Sequence, residues 1–283
     1  MSFLATLSAV AAPKDYPDTK FAIIDMVVDS PNVRSVIFNE HEGSYLVGMM
    51  AAMASKSGTV GFVGGMDIPL IRKFACGYVQ GVKAANSNAK IIQNMTGTTP
   101  AAWNDPVKGT ELTKAQISQG ADVIDLGAES TRSGFSDVDE DIQIKTLSPI
   151  VDFIANNYEI PISIDTRSSR VAMAFEKNDI NYINDVSSGC HDIDMLDVVS
   201  KLGCSYIMTH MPREHKEGSI KVYDDILSEM KTYFTDRIQK CIEAGISKEK
   251  IIIDPGIGFG KSGENNINLL KNIKWLKTIH SNV

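Results

Sequence analysis

ADVIDLG (121–127), PISIDT (161–166), NYINDV (181–186), CSYIMTHM (204–211) and KIIIDPG (250–256) share one pattern: a short apolar run that stops at an acid, an amide or an imidazole. The stops are Asp125, Asp165, Asn184 with Asp185, His210 and Asp254. Between the runs lie stretches of helical length and periodicity, such as Tyr223 to Ala244. Strand, polar tip and helix, repeated, predict a parallel sheet whose carboxyl ends carry the chemistry. Loops at those ends vary while the strands hold them in place.

Working outward, the first 118 residues contain no such ladder. They alternate differently: KFAIIDMVV (20–28) and VRSVIF (33–38) read as strands, and EGSYLVGMMAAMASK (42–56) as a helix rich in small residues and Met. TVGFVGG (59–65) reads as a strand whose Gly64–Gly65 pair makes a tight turn into a helix, IRKFACGYVQGVKAAN (71–86), before a strand at KIIQNMT (90–96). This is the α/β alternation of open doubly wound folds. The glycines do not spell GxGxxG, which argues against a dinucleotide site.

Bulk properties narrow the classes. A chain of 283 residues holds one large domain or two small ones, and 43% apolar with 22% charged residues suits a globular core. A net charge of −7 argues against nucleic acid as a partner. Cys76, Cys190, Cys204 and Cys241 form no CxxC or zinc pattern and read as reduced, packed thiols. MSFLATLSAVAAP (1–13) lacks a basic start, since the first Lys is Lys14. It is expected to form an amphipathic helix rather than a secretory signal. No run reaches the roughly 18 apolar residues of a membrane span. Absence of a signal implies a cytoplasmic protein.

Two resemblances follow from these motifs. The stretch from EGSYLVG to VKAAN (42–86), with YPDTKFAIID (16–25) and WNDPVKGTELTKAQISQGADVI (103–124), resembles the BMP family of purine nucleoside-binding lipoproteins, the substrate-binding proteins of ABC importers. That resemblance implies that residues 1–118 are a fragment of a periplasmic-binding-protein-like, Rossmann-like lobe, from a two-lobed and exported parent. It also implies that Asp105 contacts a nucleoside, although an isolated Asp before Pro is more often a turn residue.

From about Gln119 the motifs change. GADVIDLGAESTRSG, PISIDTRSSRVA, YINDVSSG, THM and IIIDPGIGFGKSGENNINLL resemble dihydropteroate synthase over residues 119–283. The resemblance implies a partial TIM (β/α)8 barrel and a transferase of folate biosynthesis. Its substrates would be 6-hydroxymethyl-7,8-dihydropterin pyrophosphate and p-aminobenzoate, with Mg2+ carried by the pyrophosphate and possible homodimer formation. By the same resemblance Asp165, Asn184 and Asp254 grip the pterin, and Thr131 and Arg132 help hold p-aminobenzoate and pyrophosphate. Gly258 lets the backbone approach the pterin, and Phe259 packs against the p-aminobenzoate ring. Ser133 stands where the family usually has Pro, which loosens that loop. His210 is read as structural. The GKS at 260–262 is not a P-loop, because Pro255 occupies the place of its first Gly.

The five runs correspond to the family's second to sixth strands of eight. The metal-contacting Asn of the first strand and the anion-binding residues of the last two are not in the sequence. The expectation is therefore a chimera joined near SQGADVI (118–124) whose catalytic site is incomplete, with no turnover. A nucleoside-binding protein and a chimera without either activity stay open as alternatives.

Overall fold

The computed structural model describes residues 12–24, 27–37, 39–120, 124–129, 131 and 136–283. They form two compact units, Met1–Asp122 and Val123–Val283. Among the described residues, no helix is long and apolar enough to cross a membrane.

In the N-terminal unit, β1 (Phe21–Ile24) pairs in parallel with β2 (Val33–Val36), and β3 (Thr59–Met66) pairs in parallel with β4 (Lys90–Gly97). These are two separate two-stranded sheets among the described residues. The helix expected at the extreme N-terminus falls mainly on residues 1–11, outside the described residues, as do positions 25 and 26 of the first run. Gly64 and Gly65 lie inside β3 rather than in a turn. A side chain on Gly64 would collide with Met95 and Ile71, so this glycine serves close packing. Helices Glu40–Ala54 and Pro69–Ala85 meet at backbone distance: Gly48 lies against the Tyr78 backbone, Gly77 against His41 and Gly81 against Tyr45. The core here consists of Ala52, Val60, Tyr78, Val82 and Ala89, with Ala51, Phe62 and Ile91 packed on it.

The C-terminal unit is built on β5 (Ile124–Gly127), β6 (Ile162–Asp165), β7 (Tyr182–Asp185), β8 (Ser205–Thr209) and β9 (Ile251–Asp254). They form one parallel sheet in chain order. Chain order in a parallel sheet requires a crossover after each strand, and helices Glu140–Asn157, Met195–Leu202 and Ile226–Glu243 supply three of them. The expected helix from Tyr223 starts at Ile226, because Asp225 caps it by accepting from the Leu227 amide at 3.0 Å. Ile164, Ile183, Tyr206, Met208, Ile251, Met230 and Phe234 are fully enclosed. Beyond β9, Asn282 accepts from the Ile253 amide at 3.0 Å and donates its side-chain amide to Ile251 O at 3.2 Å. The His280 ring also donates to Ile251 O, at 2.7 Å.

Candidate active site at the strand ends

Register decides which polar tips meet. Asp165 ends β6 and pairs with Gly127 on one side and Asn184 on the other. The Thr166 amide continues the ladder by donating to Asn184 O at 3.0 Å. Asp254 ends β9 opposite Thr209, whose hydroxyl donates to its carboxylate at 3.2 Å, while the Gly256 amide donates to it at 2.8 Å. Asp165 and Asn184 are thus neighbours, and Asp254 lies two strands beyond Asn184, about 10 Å at the usual strand spacing. Asp125 is not at its strand's tip as the apolar run suggests; it lies inside β5, opposite Ser163.

The charges around Asp165 are arranged against its ionisation. Burial pushes its carboxyl up to about 7, Asp125, Asp185 and Glu129 add to the rise, and Arg167 opposes it. Asp125 is also raised, first by burial of its carboxyl, although the residue as a whole is solvent-accessible; Ser163 and Asn184 pull the other way. Asp185 is completely buried and accepts from the Ser187 amide (2.7 Å), the Ser187 hydroxyl (2.6 Å), the Gly189 amide (2.7 Å) and the Tyr206 hydroxyl (2.7 Å). His210 is buried with its ring 4.7 Å from that of Tyr233. Burial, then Lys261 and Lys221, bring it down to about 3, so it is neutral at physiological pH.

The loops leaving the strands are tied together. Arg167, after β6, donates to Glu129, after β5, at 2.9 Å, with both side chains buried. It also reaches Asp137 at 2.8 Å, which Lys216 meets at 2.7 Å. Lys216 and then Arg167 hold the Asp137 carboxyl down to about 2. Thr131 offers its carbonyl to the His215 ring at 2.8 Å, and Phe259 packs on that ring with centroids 4.6 Å apart. Gly258 has φ +87° and open space where a side chain would stand. The Lys261 ammonium donates to the carbonyls of His210 (2.8 Å), Gly256 (2.7 Å) and Phe259 (3.1 Å). Burial brings it down to about 7; Asp254 opposes the fall and Lys221 adds to it.

Of the residues expected at the site, Arg132 lies outside the described residues. Asp105 belongs to the other unit, where its carboxylate caps helix Pro106–Ser118 by accepting from the Lys108 amide at 2.9 Å. The motifs missed Lys261, the Glu129–Arg167 pair and His215, and gave Asp185 no role beyond ending its run. Lys261 had a signal, since a lone Lys in a Gly-rich apolar loop must find acceptors when buried. The Glu129–Arg167 pair and His215 depend on contacts between loops far apart in sequence. Among the described residues, no group of three or more His, Cys, Asp or Glu could hold a metal ion.

A family model described as pterin binding enzyme matches residues 94–282, and one described as ABC transporter substrate-binding protein PnrA-like matches residues 4–152. The two matches overlap over 94–152. The chain is 36% identical over 177 residues to dihydropteroate synthase of Escherichia coli K12, covering 62% of this chain and 61% of that protein. It is 34% identical over 194 residues to the Clostridium beijerinckii enzyme of the same name, covering 66% of this chain and 70% of the relative. A crystal structure of Yersinia pestis dihydropteroate synthase in a sulfonamide drug complex superposes with TM-score 0.57 at 30% identity, covering 62% of this chain and 64% of that one. The chain thus spans about three fifths of the length of the E. coli relative.

Proposed function

This chain belongs to the pterin binding enzyme family over residues 94–282 and to the PnrA-like ABC transporter substrate-binding family over residues 4–152, and from that premise we propose that its C-terminal unit binds a pterin for the dihydropteroate synthase reaction. In that reaction the amine of p-aminobenzoate attacks the methylene of 6-hydroxymethyl-7,8-dihydropterin pyrophosphate. A C–N bond forms, the C–O bond to pyrophosphate breaks, and the amine loses a proton to solvent. The observation that carries the proposal is the adjacency of Asp165 and Asn184 in register at two neighbouring strand ends. A carboxylate beside an amide offers the acceptors and donors that a pterin edge presents in alternation.

Asp254, oriented by Thr209 and Gly256, supplies a second carboxylate farther along the same edge. The acidic surroundings that raise Asp165 also favour positive charge nearby. Positive charge develops on the pterin methylene as pyrophosphate departs, and carboxylates already in place stabilise it without rearranging. Open space at Gly258 supports approach of the pterin to backbone, and Phe259, half-buried beside it, would pack against the p-aminobenzoate ring. Thr131 and Arg132 would hold the carboxylate and pyrophosphate anions, Arg132 through the two-pronged geometry of its guanidinium. Mg2+ would arrive with the pyrophosphate. The described residues do not themselves form a metal cluster.

On this reading residues 119–283 are a partial TIM barrel able to form a homodimer, and residues 1–118 a fragment of a periplasmic-binding-protein-like lobe. The match over 4–152 supports a second reading, purine nucleoside binding by the N-terminal unit with Asp105 as a contact. Calorimetric titration of the full chain with 6-hydroxymethylpterin and with guanosine separates the two. Pterin binding that weakens about 10- to 100-fold in Asp165→Ala, the loss of a charged hydrogen bond, is the expected result. Unchanged pterin affinity in that variant overturns the proposal, and guanosine binding alone favours the second reading.

A further inference from the structure

We infer that His215, which no motif singles out, is a positioning residue for the p-aminobenzoate side of the site; this rests on the functional reading above. His215 lies in the short helix Arg213–Lys216 after β8 and is 5% exposed. Its ring joins two other loops. Nε2 is 2.8 Å from Thr131 O, 84 residues earlier, in the loop after β5. Nδ1 is 3.0 Å from the amide of Gly260, 45 residues later, in the loop after β9. The backbone amide can only donate and the carbonyl can only accept. Nδ1 therefore carries the lone pair and Nε2 the proton, which fixes one neutral tautomer.

One face of the ring is used as well, since Phe259 packs against it with centroids 4.6 Å apart. Gly260, at φ +56°, allows the approach, because a side chain there would strike Pro212 and crowd His215. The next residue, Lys216, grips the β5 loop a second time through Asp137 at 2.7 Å. That pair is solvent-exposed and screened, with Asp137 54% accessible. The buried imidazole is the stronger constraint. It sets the spacing between Thr131 and Phe259, the two described contacts expected for an aromatic amino acid. Asp165, Asn184 and Asp254 stand on the strand ends and are positioned by the sheet itself.

The test uses the full chain with His215→Ala and His215→Gln. A Gln amide carries an acceptor and a donor at the spacing of the two ring nitrogens, so it can remake both bonds. Hydrogen exchange at the Gly260 amide is expected to accelerate at least tenfold in His215→Ala and to stay near wild type in His215→Gln. Affinity for p-aminobenzoate, measured with pyrophosphate and the unreactive 6-hydroxymethylpterin present, is expected to fall at least tenfold in His215→Ala. The Gln variant should restore most of it, and pterin affinity should stay within twofold throughout. Unchanged Gly260 exchange overturns the inference, as does equal loss of both ligands, which marks a merely structural role. A wild-type chain that binds neither probe sinks the functional reading and the ligand half of this inference. In that case Gly260 exchange still decides whether His215 ties the loops.

Discussion

The two units solve the same packing problem with different materials. In the C-terminal unit, large side chains such as Tyr206, Phe234, Ile164 and Ile251 are wholly enclosed, and a buried carboxylate, Asp185, has four donors. In the N-terminal unit the core leans on Ala52, Val60 and Ala89, and two helices touch backbone to backbone through glycines. Helix Glu40–Ala54 there leaves Val47, Met50 and Met53 exposed at 56%, 68% and 76%. The difference teaches that a polar site needs a thick apolar base. Strand ends stay within tenths of an ångström only when side chains beneath them have no alternative packing. The expected chemistry accordingly concentrates in the unit with the larger enclosed residues.

The sharpest way to break this contrast is Asp185→Ala. It strands several buried donors at once and is expected to cost the C-terminal unit about 4 kcal/mol. Urea unfolding followed by Trp275 fluorescence in a Trp103→Phe background reads that unit; a loss below about 1 kcal/mol would mean that the buried network contributes little. Gly81→Ala probes the other unit, where the added methyl meets the Tyr45 backbone. Overpacking of this kind is expected to cost about 2 kcal/mol, seen by the fluorescence of Trp103 in a Trp275→Phe background. A neutral result would show that the helices are not in backbone contact.

The smallest effect sharpens the contrast through pH. The folded carboxyl of Asp165 sits at about 7, above its ordinary value of 3.8. Between those values the folded state binds more protons than the unfolded state. Stability therefore falls as pH rises through that window. Asp165→Asn removes this penalty. It is expected to stabilise the C-terminal unit on the order of 1–2 kcal/mol at about pH 8 and hardly at all near pH 4, while weakening pterin binding. Thermal melts at both pH values check it, and equal shifts at the two would show that Asp165 ionises normally.

Much of the C-terminal fold was legible because four of the five strands, β6 to β9, are runs of four or five residues stopped by a polar group. The run-then-stop rule placed Asp165, Asp185 and Asp254 at the last residues of their strands, with Asn184 one before the end of β7 and His210 one past β8. It misplaced Asp125, since Leu126 and Gly127 continue β5 beyond it and only pairing with β6 shows where the strand stops. Gly64–Gly65 was misread for a related reason: glycine signals both a turn and a close approach, and only the facing Met95 and Ile71 distinguish them. Rejecting the P-loop at GKS was sound chemistry that left Lys261 without a role; its three acceptors come from the ends of β8 and the loop after β9. His215 was invisible because both partners lie far away in sequence, and neither is a residue type that advertises a histidine.

One detail at the margin of the sheet bears on how the molecule behaves at high concentration. The last strand of an open sheet is a template that a passing extended segment from another molecule can copy. On β9 two of the groups such a segment would need are already taken. The Ile253 amide points to Asn282, and the Ile251 carbonyl is shared by Asn282 and His280. Asn282, through both its backbone and its side chain, and His280 thereby occupy groups that fibre-like stacking along that edge would have to free first.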